Sequence, residues 1–130
     1  MLLTIELLKR ALDASWCKET AHRKDQPYWS EQNKSRGQCA VTSIVVNNFF
    51  GGNIIEGFSE KYSIFHYWNI IDSNKIDFTF SQFIGDKDDI EFNQTTIITP
   101  KELLNDHNVQ KRYNVLKEKV CEYLSIVDAI

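Results

Sequence analysis

CAVTSIVVNNFFGG, residues 39–52, reads as a helix that is apolar almost all round. Val41, Val45 and Phe49 recur at helical spacing, and Ala40, Ile44, Val46 and Phe50 widen the stripe until little polar surface is left. The β-branched residues lower the intrinsic helix propensity, but a helix with apolar surface on every side belongs in the centre of a fold. Gly51-Gly52 then supplies the C-terminal stop. Such a helix needs partners on more than one side, and the rest of the chain must provide them.

Upstream, residues 17–38 (CKETAHRKDQPYWSEQNKSRGQ) are polar and carry one Pro and one Gly, which predicts a long loop. Long ordered loops are uncommon in small domains and are often functional, as a lid, a substrate rim or a partner site. Before it, Thr4 to about Ala14 places Ile5, Leu8, Ala11 and Leu12 on one face, with Thr4 as N-cap, and predicts an amphipathic helix. Downstream, residues 53–58 predict a short strand and Tyr62 to Ile71, rich in aromatic and β-branched residues, a longer one. Tyr62, Ile64, His66, Trp68 and Ile70 share one face of that strand. The tetrapeptide DSNK (72–75) predicts a turn, and Ile76 to Phe80 the returning strand. Residues 85–95 are acidic and loop-like; Thr99-Pro100 opens a helix backed by Leu103 and Leu104. Val109, Tyr113, Leu116, Val120, Leu124 and Val127 mark a final amphipathic helix. The expected fold is α+β: a central helix on a small antiparallel sheet, with flanking N- and C-terminal helices.

With 130 residues the chain is expected to form one domain, 1–130. Hydrophobic residues at 42% and charged residues at 25% match ordinary globular usage rather than disorder. A net charge of −3, with no stripe of Lys and Arg among aromatics, argues against nucleic acid as a partner. Cys17, Cys39 and Cys121 are too few and too widely spaced for a disulfide framework. MLLTIELLKR, broken by Glu6, Lys9 and Arg10, is unlike a secretion signal, and no stretch has the ~18 apolar residues of a membrane span. The expectation is a cytoplasmic protein with no membrane role. Cys17, His22, Cys39 and His66 lack a tight ligand spacing, and no CxxC or HExxH occurs, so neither metal nor cofactor is expected.

RGQCAVTS (36–43) carries the most chemical information. A cysteine in the first turn of a helix feels the positive end of the helix dipole and several free N–H groups, which favour thiolate over thiol. The Cys39 N–H, with the Gln38 amide beside it, is placed to hold an oxyanion formed when that thiolate attacks a carbonyl. A thiol nucleophile needs a base, and His66 in FHYWNII (65–71) sits among aromatics where a surface histidine is out of place. His22 and His107 lie in polar surroundings and read as surface residues. Asp77, between Ile76 and Phe78, is a candidate to orient His66 and stabilise its imidazolium. With the hairpin centred on Ser73-Asn74, however, Asp77 falls opposite Ile70, four residues and roughly 13 Å from His66. A contact then requires a bulge or an earlier turn near Ile71-Asp72, and Asn69 and Gln82 stand as alternative orienters. The bland alternative is that Cys39 and His66 are core residues, since free cysteine is among the most buried residue types.

GQCAVTSIVVNNFFGG (37–52), HYWN (66–69) and IDFTFSQF (76–83), together with Trp29, resemble the YunG-type family of small bacterial proteins over roughly the middle half of the chain. That resemblance implies kinship but no particular activity. More loosely, Cys39 opening a central helix, His66-Tyr67-Trp68 on a strand and Asp77-Phe78-Thr79 on the next are similar to the papain-like and transglutaminase-like superfamily. This implies a papain-like core and a thiol enzyme acting by acyl transfer on a peptide, protein or small amide. Cys39 would be nucleophile, His66 base and acid, and Asp77 orienter. The alternative is a non-catalytic binding or regulatory domain of the same fold, with Cys39 as core.

Overall fold

The structure, a computed structural model, describes residues 2–129. α1 (Ile5–Ser15) begins at Thr4, whose Oγ1 accepts from the Leu7 N–H at 3.1 Å, as the sequence predicts. Its buried stripe is Leu8, Ala11, Leu12 and Ser15. α2 (Cys39–Phe50) is the central helix: every residue from Ala40 to Val46 is buried. One side of α2 lies on the sheet, chiefly on β2, and another on α4 (His107–Ala129), which also receives α1. That two-sided burial explains why a stretch with so many β-branched residues is stable as a helix: packing overrides propensity. Gly51, at φ +72°, ends it by placing its N–H on the Asn47 carbonyl.

The sheet has four antiparallel strands in the order β3-β2-β1-β4. β1 (Asn53–Ser59) and β2 (Ile64–Ile71) form the central hairpin, with Gly57 opposite His66 and Ile55 opposite Trp68. β3 (Asn74–Ile76) borders β2, and β4 (Gln94–Ile98) borders β1. α3 (Pro100–Leu104) follows a capping box in which Thr99 and Glu102 satisfy each other's backbone N–H groups.

Several expectations are corrected here. β2 starts at Ile64 rather than Tyr62, because Ser63 takes φ +52° and Lys61 and Tyr62 lie in the preceding turn. The strand expected over 76–80 stops at Ile76, and Phe80–Phe83 form a 3-10 turn instead. β4 falls partly within residues read as loop, since Gln94 to Ile97 are exposed and give no alternating signal. Residues 17–38 contain two short 3-10 turns, Lys18–Thr20 and Gln26–Tyr28, within an otherwise irregular loop. Among the described residues no helix is long and apolar enough to cross a membrane.

Candidate active site

The β2–β3 turn decides whether Asp77 reaches His66. The register pairs Ile71 with Asn74, Ile70 with Lys75 and Asn69 with Ile76, so the turn is centred on Asp72-Ser73, one residue earlier than Ser73-Asn74. Both residues have positive φ, 50° and 66°, as a tight hairpin matched to strand twist requires. Moving the centre by one residue moves every pairing by two. One step past Ile76, Asp77 comes abreast of Trp68, two residues from His66 rather than four. Its Oδ2 lies 2.7 Å from His66 Nε2. Its Oδ1 accepts from the Thr79 N–H at 3.3 Å, which fixes the carboxylate at the exit of the strand. Asn69 and Gln82, the alternative orienters, are occupied elsewhere. Asn69 Nδ2 donates to the Ser43 carbonyl at 3.0 Å, and Gln82 Nε2 to the Thr79 carbonyl at 2.9 Å.

His66 is fully buried, and its setting is aromatic. Phe92 stacks on the ring at a centroid distance of 5.1 Å, Phe83 meets it edge-on at 5.0 Å, and Trp68 and Phe80 close the cage. Phe80, Phe83 and Phe92 gave no sequence signal for this role, because they lie in a 3-10 turn and a loop whose paths composition does not specify. With Nε2 on Asp77, the buried Nδ1 is the ring nitrogen left without a hydrogen-bond partner among the described residues. Burial pushes the ring's pKa down. The Asp77 hydrogen bond and then the Cys39 side chain more than reverse this, and the pKa rises to about 9. Asp77 beside it makes the imidazolium the dominant form at neutral pH.

Cys39 is half-buried at the first position of α2. No side chain caps that helix, so its first-turn N–H groups lack intrahelical partners. The loop ahead of it is tied to the segment after Asp77. Gly37 N–H donates to Gln82 Oε1 at 3.1 Å, Asn33 Nδ2 to the Gln82 carbonyl at 3.2 Å, and Ser35 and Ser81 share a hydroxyl bond of 3.0 Å. Gly37 has φ +72°, and a Cβ there would meet Asp25 Cβ at 2.8 Å. These contacts hold the helix start and the Asp77 turn in register. Gln38 is buried, and its Nε2 donates to the Cys17 carbonyl at 3.0 Å, joining the two ends of the 17–38 loop. Its amide does not line the cavity above Cys39. The structure thus brings Cys39, His66 and Asp77 together and leaves the Gln38 side chain aside.

A cavity of about 450 Å³ opens over Cys39. The 17–38 loop forms part of its rim through His22, Lys24, Asp25 and Arg36, and Phe65, Tyr67, Gln82 and Phe83 form its other walls. His22, expected on the surface, is exposed but stands on this rim, where burial and then the Arg112 charge push its pKa down. Arg112, on α4, also lines the cavity although the sequence gave no reason to single it out. Cys17 is half-buried outside the lining, and Cys121 is exposed on α4. Among the described residues no group of three or more His, Cys, Asp or Glu side chains is arranged to hold a metal ion.

No solved structure matches the chain. Over 79 residues it is 33% identical to a Bacillus subtilis (strain 168) protein titled "Uncharacterized protein YunG", a match covering 61% of this chain and 63% of that one. The family model described as "YunG protein" matches residues 4–125, which take in all four strands, the Cys39 helix and most of α4. The chain belongs to the YunG family.

Proposed function

We propose that the protein is a thiol-dependent acyl-transfer enzyme, a hydrolase or transamidase acting on an amide-type bond. The observation that carries this reading is the placing of His66: fully buried, hydrogen-bonded to Asp77 at 2.7 Å, and raised in pKa by Asp77 and then by Cys39, whose own side chain lines the cavity. A core histidine satisfied by a backbone carbonyl would have neither carboxylate nor thiol beside it. The order of Cys39 opening the central helix, His66 on a strand and Asp77 after it is similar to the papain-like and transglutaminase-like superfamily, and we read the core as papain-like on that ground.

In this mechanism the Cys39 thiolate, paired with the His66 imidazolium, attacks the amide carbonyl carbon. A C–S bond forms, and the carbonyl electron pair moves onto oxygen. The Cys39 N–H, at the uncapped start of α2, holds that oxyanion; Gln38 is already committed to the Cys17 carbonyl. When the tetrahedral species collapses, the C–N bond breaks and His66 gives its proton to the departing amine. The thioester is then opened by water or by a second amine, with His66 as base, and the ion pair is restored. Asp77 fixes the ring so that Nε2–H stays on the carboxylate, which leaves the unpartnered Nδ1 to exchange the proton with the sulfur. The pocket is small and open to the surface, which suits a peptide side chain or a small amide.

The test is a pre-steady-state reaction with excess p-nitrophenyl acetate. The expected result is a burst of p-nitrophenolate, equal to the protein concentration, with an acetyl group on Cys39 by mass spectrometry. Cys39→Ala should give no burst. Absence of a burst in the wild-type chain, with Cys39 left unmodified, would favour a binding or regulatory domain in which Cys39 is only packing.

A further inference from the structure

Arg112 is 3% exposed, and its hydrogen bonds go to neutral acceptors only. Nε donates to Asn108 Oδ1 at 2.9 Å, and Nη1 to the Thr20 carbonyl at 3.3 Å. A guanidinium carries five N–H donors, and Nη2 has no partner among the described residues. No carboxylate among the described residues pairs with it; burial pushes its pKa down, and the charges that favour the cation are Cys39 first, then Asp106 and Asp25 from a distance. A buried cation with no carboxylate against it is unfavourable, so a protein that keeps one on the wall of a cavity beside a thiol invites an anionic ligand there. Arg112 and Cys39 line the same cavity.

The rest of the lining sharpens the point. Asp25 is taken by Arg36 at 3.1 Å and Asp86 by Lys87 at 2.6 Å. Lys24 and Arg112 are the cations left over on the cavity wall, and Lys24 forms no ion pair among the described residues. A guanidinium presents a flat edge that matches a carboxylate better than any ammonium does.

We propose that the substrate of the Cys39 site carries a carboxylate close to the scissile amide, and that Arg112 binds it through its free Nη2 edge. An acidic side chain and a peptide C-terminus both supply that chemistry. The inference rests on the thiol-enzyme reading. It makes Arg112 a substrate-binding residue in addition to the tie that its Thr20 hydrogen bond forms between α4 and the 17–38 loop.

The test compares two alkylating reagents that differ in charge. Iodoacetate carries the carboxylate next to the reacting carbon; iodoacetamide has the neutral amide in its place. The rate of each at Cys39 is measured by mass spectrometry and divided by its rate at exposed Cys121. The iodoacetate-to-iodoacetamide ratio is expected to fall roughly tenfold in Arg112→Gln, the loss that one charge-assisted hydrogen bond implies. If Arg112 only supports the thiolate, both reagents slow together and the ratio holds, which overturns the proposal while leaving Cys39 a nucleophile. If Cys39 reacts with neither reagent in native protein, the thiol-enzyme reading fails and the proposal falls with it. A measurement on the unmutated chain guards against a variant that does not fold. Glutarate should protect Cys39 from iodoacetamide, whereas glutaramide and inorganic phosphate at equal ionic strength should not. Equal protection by phosphate, or none by glutarate, overturns the carboxylate assignment. For the two sources, an acetylated peptide amide with one Glu side chain and a Glu-free peptide with a free C-terminus are compared as protectants. Protection by either supports the proposal and names the source, and protection by neither counts against it.

Discussion

Replacing Asp77 by Asn should destabilise the protein by an amount that depends on pH in one direction. In the folded chain His66 has its pKa raised from 6.5 to about 9. A group raised on folding contributes stability that is fully present below its unfolded pKa and lost as pH climbs through the folded one. The window therefore runs from about pH 6.5 to about pH 9. The difference between the two values corresponds to about 3 kcal/mol, an upper bound because Cys39 shares in the effect. The Asp77 hydrogen bond is the largest single favourable contribution, and Asn at 77 keeps the shape while removing the charge. The expected cost is roughly 1–3 kcal/mol at pH 6 and well under half of that at pH 9.5. Urea unfolding of both chains under reducing conditions at pH 6, 7.5 and 9.5 gives the difference directly, provided the m-values agree. A cost that is independent of pH, or one that grows with pH, would refute the charged His66–Asp77 pair.

Two other substitutions test the frame around the site. Gly57→Ala places a Cβ 2.5 Å from the Trp68 ring carbons and 2.9 Å from Phe92 Cβ, so overpacking of about 1–3 kcal/mol is expected in urea unfolding. Because Gly57 sits opposite His66 and both clashing residues belong to its cage, near-UV circular dichroism should change as well. Thr42→Val removes the acceptor of the buried Trp16 indole N–H, now 2.9 Å from Thr42 Oγ1, at almost constant volume. The expected loss is about 1–3 kcal/mol, and a neutral result would mean that the indole finds another partner.

The sequence carried the helices well and the edges of the sheet poorly. The central helix was legible because burial on several sides leaves an apolar run between Cys39 and Gly51-Gly52. α1 was legible because Thr4 and the Leu8–Ala11–Leu12 stripe agree. Cys39, His66 and Asp77 were legible as residue types out of place in their surroundings. The hairpin register was not, since left-handed Asp72 and Ser73 occupy the positions where Asn or Gly is the usual signal, and Asn74 sits in the strand. β4 escaped because an exposed edge strand has no buried face to impose alternation. The aromatic cage and Arg112 arise only when distant segments meet, and periodicity is silent about that. Gln38 shows the reverse error: an amide beside Cys39 in sequence is bound to the far end of a loop in space.

The most direct test of the Cys39–His66 pair is the pH dependence of iodoacetamide alkylation, resolved cysteine by cysteine in the native chain and in His66→Ala. Cys39 is expected to react much faster than Cys17 and Cys121 below pH 7, and to lose this advantage without His66. A Cys39 that reacts no faster than the other two, or only after the protein unfolds, would contradict that pairing.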